Sequence, residues 1–513
     1  HKSILHQIFV RVEGWAEVGP ISVDKVGVFF RHAGPEIVDN YSMMPRSRIV
    51  FAVTLEGSAR KLVTVRSALK FMNKLDHPIL MKMEHLFGHL NIRSWPSTKT
   101  VIVASNESYS VPLSHVHSFF YSKPLPLDFC LDEVSNNQSS QSQSSSVVSL
   151  ATEKLDGNEY WNRFGKFCDD GAIGNFQFTD KSIHWKDVHD PSEVHQEIRT
   201  CCSISNKTYK LVFAIKKEPY PSKDNSLNAL LPGHQITLWP PLRLHNLLPC
   251  DLLFKLTSGT KGRISSAGTA NIHEVDLEQA IEITITLDSF SGAGQIYINA
   301  GMHGFSEAEV KLSDTNGRIL VLRAIIQVLR GCGMQISISA PFWLINRTGL
   351  PIIFRQEGVS TEFAGQFSEN EQARLVSPLM FSFSDLDSSM ALTIRLGKRY
   401  GTNLPWCQPF SLHKDTLHRQ LKSNSTNETF VLGIEVRRGR GRYSYTSIVT
   451  FSPRFQLYNR SSYKLQFAQK CFATVLTDQI AQSTFIEAVS GCHLPFHWPR
   501  LDKEQELCVR LPD

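Results

Sequence analysis

The stretch SAPFWLINRTGLPIIF, Ser339 to Phe354, recurs in varied form four times along this 513-residue chain. The other copies are SALKFMNKLDHPIL (Ser67 to Leu80), PPLRLHNLLPCDLL (Pro240 to Leu253) and SPRFQLYNRSSYKL (Ser452 to Leu465). Aligned on Asn73, Asn246, Asn346 and Asn459, each carries large apolar residues two and four positions earlier: Phe71 and Leu69, Leu244 and Leu242, Leu344 and Phe342, Leu457 and Phe455. Side chains alternate along a strand, so each asparagine shares a face with its two apolar predecessors, and that face is predicted to be buried. A buried amide left unpaired costs about 1–3 kcal/mol. Asparagine meets that demand by bonding nearby backbone where a strand enters a turn. The four asparagines therefore read as structural corner brackets, not as catalytic groups. SALKFMNKL has a briefly helical look, but its register with three sibling strands outweighs it.

Around each bracket the rest of a unit repeats too. IVFAVTLEGSARKLVTVRS (Ile49 to Ser67), ILVLRAIIQVLRGCGMQISIS (Ile319 to Ser339) and FVLGIEVRRGRGRYSYTSIVTFS (Phe430 to Ser452) are each two β-rich arms around a Gly-containing turn, leading into an asparagine strand. FVRVEGWAEVGPISVDKVG (Phe9 to Gly27) resembles LTIRLGKRYGTNLPWCQPFSLHK (Leu392 to Lys414), and VSPLMFSFSDLDSSMALTIRLG (Val376 to Gly397) resembles SGCHLPFHWPRLDKEQELCVRLPD (Ser490 to Asp513). The asparagines lie 173, 100 and 113 residues apart. Part of the longest interval is EVSNNQSSQSQSSSVVS (Glu133 to Ser149), a tract too polar to bury a core and predicted to be a disordered insertion. A second enlargement falls at Lys216 to Leu231.

The predicted fold is all-β: tandem antiparallel β-sandwiches of roughly 100 residues, arranged end to end. Residues 1–66 form the C-terminal part of one unit; 67–239 a second, with its insertion at about 133–153; 240–336 a third; 337–450 a fourth; 451–513 the start of a fifth.

Composition narrows the function. With 42% hydrophobic and 20% charged residues the chain is globular, and a formal charge of +6 is too mild to indicate nucleic acid. The most apolar run, Ile319 to Leu329, is short and interrupted by Arg323, so no membrane span is predicted. The N-terminus has neither an initiator Met nor a signal-peptide pattern and reads as a cut from something longer. Ten scattered cysteines without a Cys-x-x-Cys favour free, mostly buried thiols in a reducing compartment. Eight Asn-x-Ser/Thr sequons pull the other way, but two of them fall on the inward-facing Asn346 and Asn459.

Chemistry is sparse. His85 and His89 are four apart but lack the glutamate of a zinc-protease helix. His115 and His117, placed on one face of a predicted strand, make half a zinc site. No P-loop, GxGxxG or GxSxG occurs. The sequence assigns no catalytic, cofactor or metal residue and no enzyme. Its sharpest charge feature is the turn RRGRGR: Arg437, Arg438, Arg440 and Arg442 are a solvated hairpin tip or a contact for an anionic head group or acidic segment, since guanidinium grips such groups bidentately.

The recurring asparagine strand, the phrase FWLINRTGLPIIF and its pairing with FSPRFQLYNRSSYKLQF resemble the adaptor-binding region of the vacuolar protein sorting thirteen family, the chorein-type bridge-like lipid-transfer proteins, nearest its D paralogue. The likeness covers the chain apart from the Ser/Gln tract. It implies six sandwich repeats, each with a signature asparagine, here Asn73, Asn246, Asn346 and Asn459. It further implies a peripheral, non-enzymatic targeting module without cofactors. Such a module docks adaptors on the cytosolic face of organelle membranes, some through Pro-x-Pro motifs, where the endoplasmic reticulum meets mitochondria or other organelles. For the D paralogue the implied adaptor is a Rho-type GTPase of the mitochondrial or peroxisomal outer membrane. An extended proline-containing peptide can add to an open sheet edge, and the predicted aromatic groove for it is Phe342, Trp343, Phe455 and Phe467. The chain's own Pro124-Leu125-Pro126 is a stiff loop exit or an occupant of that groove in cis. The competing class is an extracellular multi-sandwich adhesion or carbohydrate-binding protein, suggested by fold and sequons.

Overall fold

The asparagine strand of each complete unit lies one in from the edge of a five-stranded sheet, because the last strand of the unit returns to lie beside it at the centre. A computed structural model describes residues 6–34, 36, 46–58, 60–85, 97–125, 176–203, 205–220, 231–315, 317–360, 363–364, 378–385, 387–413, 416–424, 427–473 and 485–512. The Ser/Gln tract, His89, Pro126 and most of the second enlargement lie outside these.

In the third unit the sheet order is Thr269–Ile272, Leu242–Asn246, Gly333–Ser339, Ile319–Leu329, Gly304–Ser313. A four-stranded sheet (Lys261–Ile264, Leu252–Leu256, Ile281–Thr286, Gly294–Ile298) packs across it. Alternation along the strands supplies the filling: Leu242, Leu244, Ile283, Ile285, Leu322 and Ile336 all point into one core. The fourth unit repeats the plan, with Leu379–Phe381, Phe342–Asn346, Ser447–Pro453, Thr429–Arg438 and Thr416–Lys422 in order, over a second four-stranded sheet and its own core. The second unit does so with Ser108–Ser110, Lys70–Asn73, His234–Trp239, Thr208–Lys217 and Val194–Cys202, over three strands. In the first unit a hairpin of Ser47–Glu56 and Arg60–Ser67 pairs with Gly27–Ala33; in the fifth, Phe455–Tyr458 pairs with His493–Phe496.

The tandem-sandwich reading of the sequence holds, with one addition. Each complete unit contains a parallel pair, between the asparagine strand and the exit strand that precedes the next asparagine: Lys70–Asn73 with His234–Trp239, Leu242–Asn246 with Gly333–Ser339, and Phe342–Asn346 with Ser447–Pro453. Parallel neighbours need a long crossover, and here that crossover is the unit itself. Hydrogen bonding also assigns each exit strand to the unit before it. The strands Gly333–Ser339 and Ser447–Pro453 run across the sequence-drawn limits at 336/337 and 450/451.

Two smaller expectations change. His115 closes a short 3-10 helix, Leu113–His115, instead of sharing a strand face with His117. Of the eight cysteines described, all free, Cys201 and Cys407 are buried, five are half-buried and Cys202 is exposed, so the thiols are less buried than composition suggests.

Candidate functional site: asparagine corners and the joints between units

Each asparagine closes a loop, and among the described residues Asn73, Asn246 and Asn459 also rivet two sheets. Asn246 Oδ1 accepts the Leu248 N–H at 3.0 Å, while Nδ2 donates to Cys250 O at 2.8 Å, four residues on. The same Nδ2 reaches the end of a strand in the opposite sheet, at Ile264 O (2.9 Å) and Ser265 O (3.0 Å). Asn73 repeats this with Leu75 N–H, His77 O, Val103 O and Ala104 O. Asn459 does so with Ser461 N–H, Tyr463 O and Ala488 O. Asn346, half-buried, bonds Leu350 O and Thr348 N–H. Both hydrogens of a carboxamide and its oxygen are used, which an aspartate or leucine cannot copy.

The two sequons at these positions acquire a local meaning. The Thr348 and Ser461 hydroxyls each donate to the asparagine Oδ1 at 2.7 Å, so Asn-x-Ser/Thr here spells a hydrogen-bonded turn, not a glycan acceptor.

The opposite-sheet end of the rivet is a tight turn. Gly268 N–H bonds Ser265 O, Glu107 N–H bonds Ala104 O, and Cys492 N–H bonds Val489 O. Each places one residue at positive φ: Ala267 (62°), Asn106 (59°) and Gly491 (75°). Glycine and asparagine tolerate that region; alanine does so at a cost.

Joints between successive units are polar and largely buried. Between the first and second, the buried Arg48 lies over Tyr220 (4.5 Å) and Phe30 (5.4 Å). Between the second and third, Lys210 and His273 exchange two bonds, Lys210 N–H to His273 O at 2.8 Å and His273 Nδ1–H to Lys210 O at 3.0 Å. Lys210 Nζ also meets Asp276 at 2.6 Å. His273 stacks on Tyr209 at 4.0 Å, and burial pushes its pKa down to about 3. Beside it His77 bonds Asp76 Oδ1 (2.7 Å) and the Tyr209 hydroxyl (2.6 Å). Burial acts to raise the Asp76 pKa, but the His77 hydrogen bond and nearby imidazoles outweigh it, so the group stays a carboxylate. Between the fourth and fifth, His497 Nε2–H donates to Thr348 O at 2.8 Å, and Gly349, at φ 74°, leaves room for Pro495; a Cβ there would lie 2.6 Å from that ring.

The residues singled out for partner contact do not share one surface. Phe342 and Trp343 alternate along their strand: Phe342 packs toward Phe383 (5.5 Å) in the fourth core, whereas Trp343 lies against the third core and Tyr443 (5.2 Å). Phe467 is buried in the fifth unit. Phe455 alone is exposed, at 41%, with Trp498 edge-on to it at 6.4 Å. Its exposure departs from the buried face predicted for every asparagine strand, because Phe455–Tyr458 has a hydrogen-bonded neighbour on one side only among the described residues. All four arginines of the turn are exposed. Arg437 is paired with Glu435 of its own strand, and Arg442 donates to Ala267 O of the third unit at 2.9 Å. Leu125, between the two prolines, is buried and donates its N–H to Pro78 O at 3.0 Å, within the second unit.

Sequence reasoning missed the joint histidines. His77 sits in the quoted stretch, four residues past Asn73, but His273 is 196 positions further on and nothing in its neighbourhood announces the contact.

Repeated sandwiches, each with one asparagine at a strand corner and joined to the next through polar contacts, define a repeat-built scaffold. The profile described as Vacuolar-sorting associated protein 13, adaptor binding domain, matches residues 1–174 and 172–513, so the chain belongs to that family. It is 41% identical over 513 residues to intermembrane lipid transfer protein Vps13D of Drosophila melanogaster, covering all of this chain and 12% of the fly protein. It is 34% identical over 552 residues to human intermembrane lipid transfer protein VPS13D, again covering all of this chain and 11% of the relative. A Chaetomium thermophilum intermembrane lipid transfer protein VPS13 is 23% identical over 356 residues, covering 66% of this chain and 10% of that protein. The family gives no support to the extracellular adhesion reading. Among the described residues no helix is long and apolar enough to cross a membrane.

Proposed function

We propose that this chain is a non-enzymatic docking array that receives extended, proline-containing segments of membrane-anchored adaptors on an open sheet edge, and so places a lipid-transfer protein at organelle contacts. The observation that carries it is a recurring outer strand in every complete unit: among the described residues Val194–Cys202, Gly304–Ser313 and Thr416–Lys422 each have a paired strand on one side only of a five-stranded sheet. Such a strand leaves half its backbone donors and acceptors for a partner.

The three edges are not equal. Val194–Cys202 is taken up by the joint: Gln196 Oε1 accepts Gly331 N–H from the third unit at 2.8 Å, and a Cβ on Gly331 would meet Val194 at 2.4 Å. Gly304–Ser313 carries exposed Glu307, Glu309 and Lys311, charges of the kind that block pairing. Thr416–Lys422 has no acidic residue and exposes His418 and Lys422, while the half-buried Arg419 is held by Gln408 O and Pro409 O. Its first residue pairs with Glu435, two positions before the arginine turn. That edge suits a peptide whose prolines are flanked by acidic residues: the prolines limit the entropy lost on docking, the residue between them donates a ladder bond, and the arginines meet the flank. Adaptors of the mitochondrial or peroxisomal outer membrane, including a Rho-type GTPase, are the partners this reading puts first, by likeness to the D paralogue.

The experiment is a titration of a labelled Pro-x-Pro peptide with acidic flanks against the chain, beside a peptide with both prolines changed to alanine. Micromolar binding, in rough keeping with so small a contact, is expected for the first. Equal affinity for both peptides contradicts the proline component.

A further inference from the structure

We propose that Asp76, His77 and His273 form a divalent-metal site of the zinc class that clamps the second unit to the third. One donor atom from each side chain lies within 4.8 Å of the other two. Asp76 and His77 belong to the loop that Asn73 closes, and the Asn73 amide fixes the His77 carbonyl at 2.9 Å. His273 follows the strand Thr269–Ile272 of the next unit and is 9% exposed. Its Nδ1–H is spent on Lys210 O, so Nε2 carries the lone pair, and that buried nitrogen has no hydrogen-bond partner among the described residues. A bare imidazole nitrogen in a closed joint is costly. A backbone carbonyl on the opposite nitrogen is also the usual device for orienting a metal-bound histidine.

The second imidazole can join without a change of charge. With no ion, His77 Nδ1–H donates to Asp76 Oδ1 and Nε2 accepts from the Tyr209 hydroxyl. An ion between Asp76 and His77 takes the Nδ1 lone pair; the ring proton moves to Nε2 and donates to Tyr209 Oη, whose own proton turns away. The Asp76 side chain is 37% exposed, which gives an ion a way in. Two imidazole nitrogens and one carboxylate oxygen suit zinc or a neighbouring first-row ion over magnesium or calcium, with water as fourth ligand. The corresponding loop positions after Asn246 (Pro249, Cys250) and Asn346 (Gly349, Leu350) do not repeat this donor pair, so the site belongs to one joint.

The test is calorimetric titration of the chelator-stripped 513-residue chain with zinc, with cobalt(II) absorption as a second readout. We expect one ion per chain at micromolar affinity or tighter, a raised melting temperature, and cobalt bands of a four-coordinate nitrogen and oxygen site without thiolate charge transfer. His273→Ala and Asp76→Asn are each expected to weaken binding by at least about tenfold. Asp76→Asn keeps an acceptor for His77, so it reports on the ion even where His273→Ala does not fold. Absence of binding above the buffer background, a thiolate signature from the cysteines, or unchanged affinity in Asp76→Asn overturns the proposal.

Discussion

Asn246 and Asn346 occupy the same place in neighbouring units, yet they do unequal work. Among the described residues Asn246 Nδ2 serves three carbonyls and is buried, whereas Asn346 Nδ2 serves one and is half-buried. Asn246→Ala is therefore expected to destabilise its unit by about 3 kcal/mol, at the upper end for stranded buried groups, and Asn346→Ala by about 1 kcal/mol. Chemical denaturation of the two variants checks the order, and equal losses would deny the sheet-to-sheet rivet. Asn246→Asp is expected to be worse than Ala, because a carboxylate would face three carbonyl oxygens. Ala267 offers the opposite sign. It holds a positive φ that costs a non-glycine residue roughly 1 kcal/mol, so Ala267→Gly is expected to leave stability unchanged or raise it by up to about that much. A clear loss in the same denaturation experiment would show the turn to be unstrained.

At the scale of elements, most of the fold was legible in the sequence because hairpins and asparagine strands are local patterns with period two. Ile49 to Ser67 and Phe430 to Ser452 became hairpins with the turns where the glycines stand. What stayed hidden is non-local. The parallel return of Gly333–Ser339 onto Leu242–Asn246 joins residues about ninety apart, and no turn signal encodes it. The aromatics singled out for partner contact are scattered for a related reason: a large aromatic reads the same whether it fills its own core, like Phe467, a joint, like Trp343, or solvent, like Phe455.

One exit strand also carries a proton-sensitive start. His234 Nε2–H donates to Val188 O at 2.7 Å, Nδ1 accepts Gly233 N–H at 3.2 Å, and burial holds its pKa at about 4. The unfolded ring titrates near 6.5. Below that the unfolded state binds the extra proton, so stability is whole above about pH 6.5 and falls as the pH drops toward 4. Between pH 7.5 and 5 the loss is on the order of 2 kcal/mol. Denaturant midpoints of wild type and His234→Gln at both values check it: the pH effect is expected to shrink in the variant, and an equal drop in both contradicts it.

Across the whole molecule, the joints decide whether the units act as one body. Gly349→Ala adds a side chain both at positive φ and 2.6 Å from Pro495, and is expected to loosen the fifth unit by about 1–3 kcal/mol while the third keeps its stability. Faster amide exchange confined to Phe455–Arg510 would show it, and uniform loosening would mean that the joints do not isolate the units. Deleting Asn136 to Ser146 is expected to leave both melting and peptide binding unchanged, since loop-closure entropy varies slowly with length; loss of binding would make that tract a docking segment. The central claim, that adaptors add a strand to an open edge, is tested most directly by hydrogen–deuterium exchange with and without the Pro-x-Pro peptide. Slowed exchange is expected at the outward amides of Thr416–Lys422, with Gly304–Ser313 unaffected. Saturating peptide that binds yet leaves Thr416–Lys422 unprotected would contradict it.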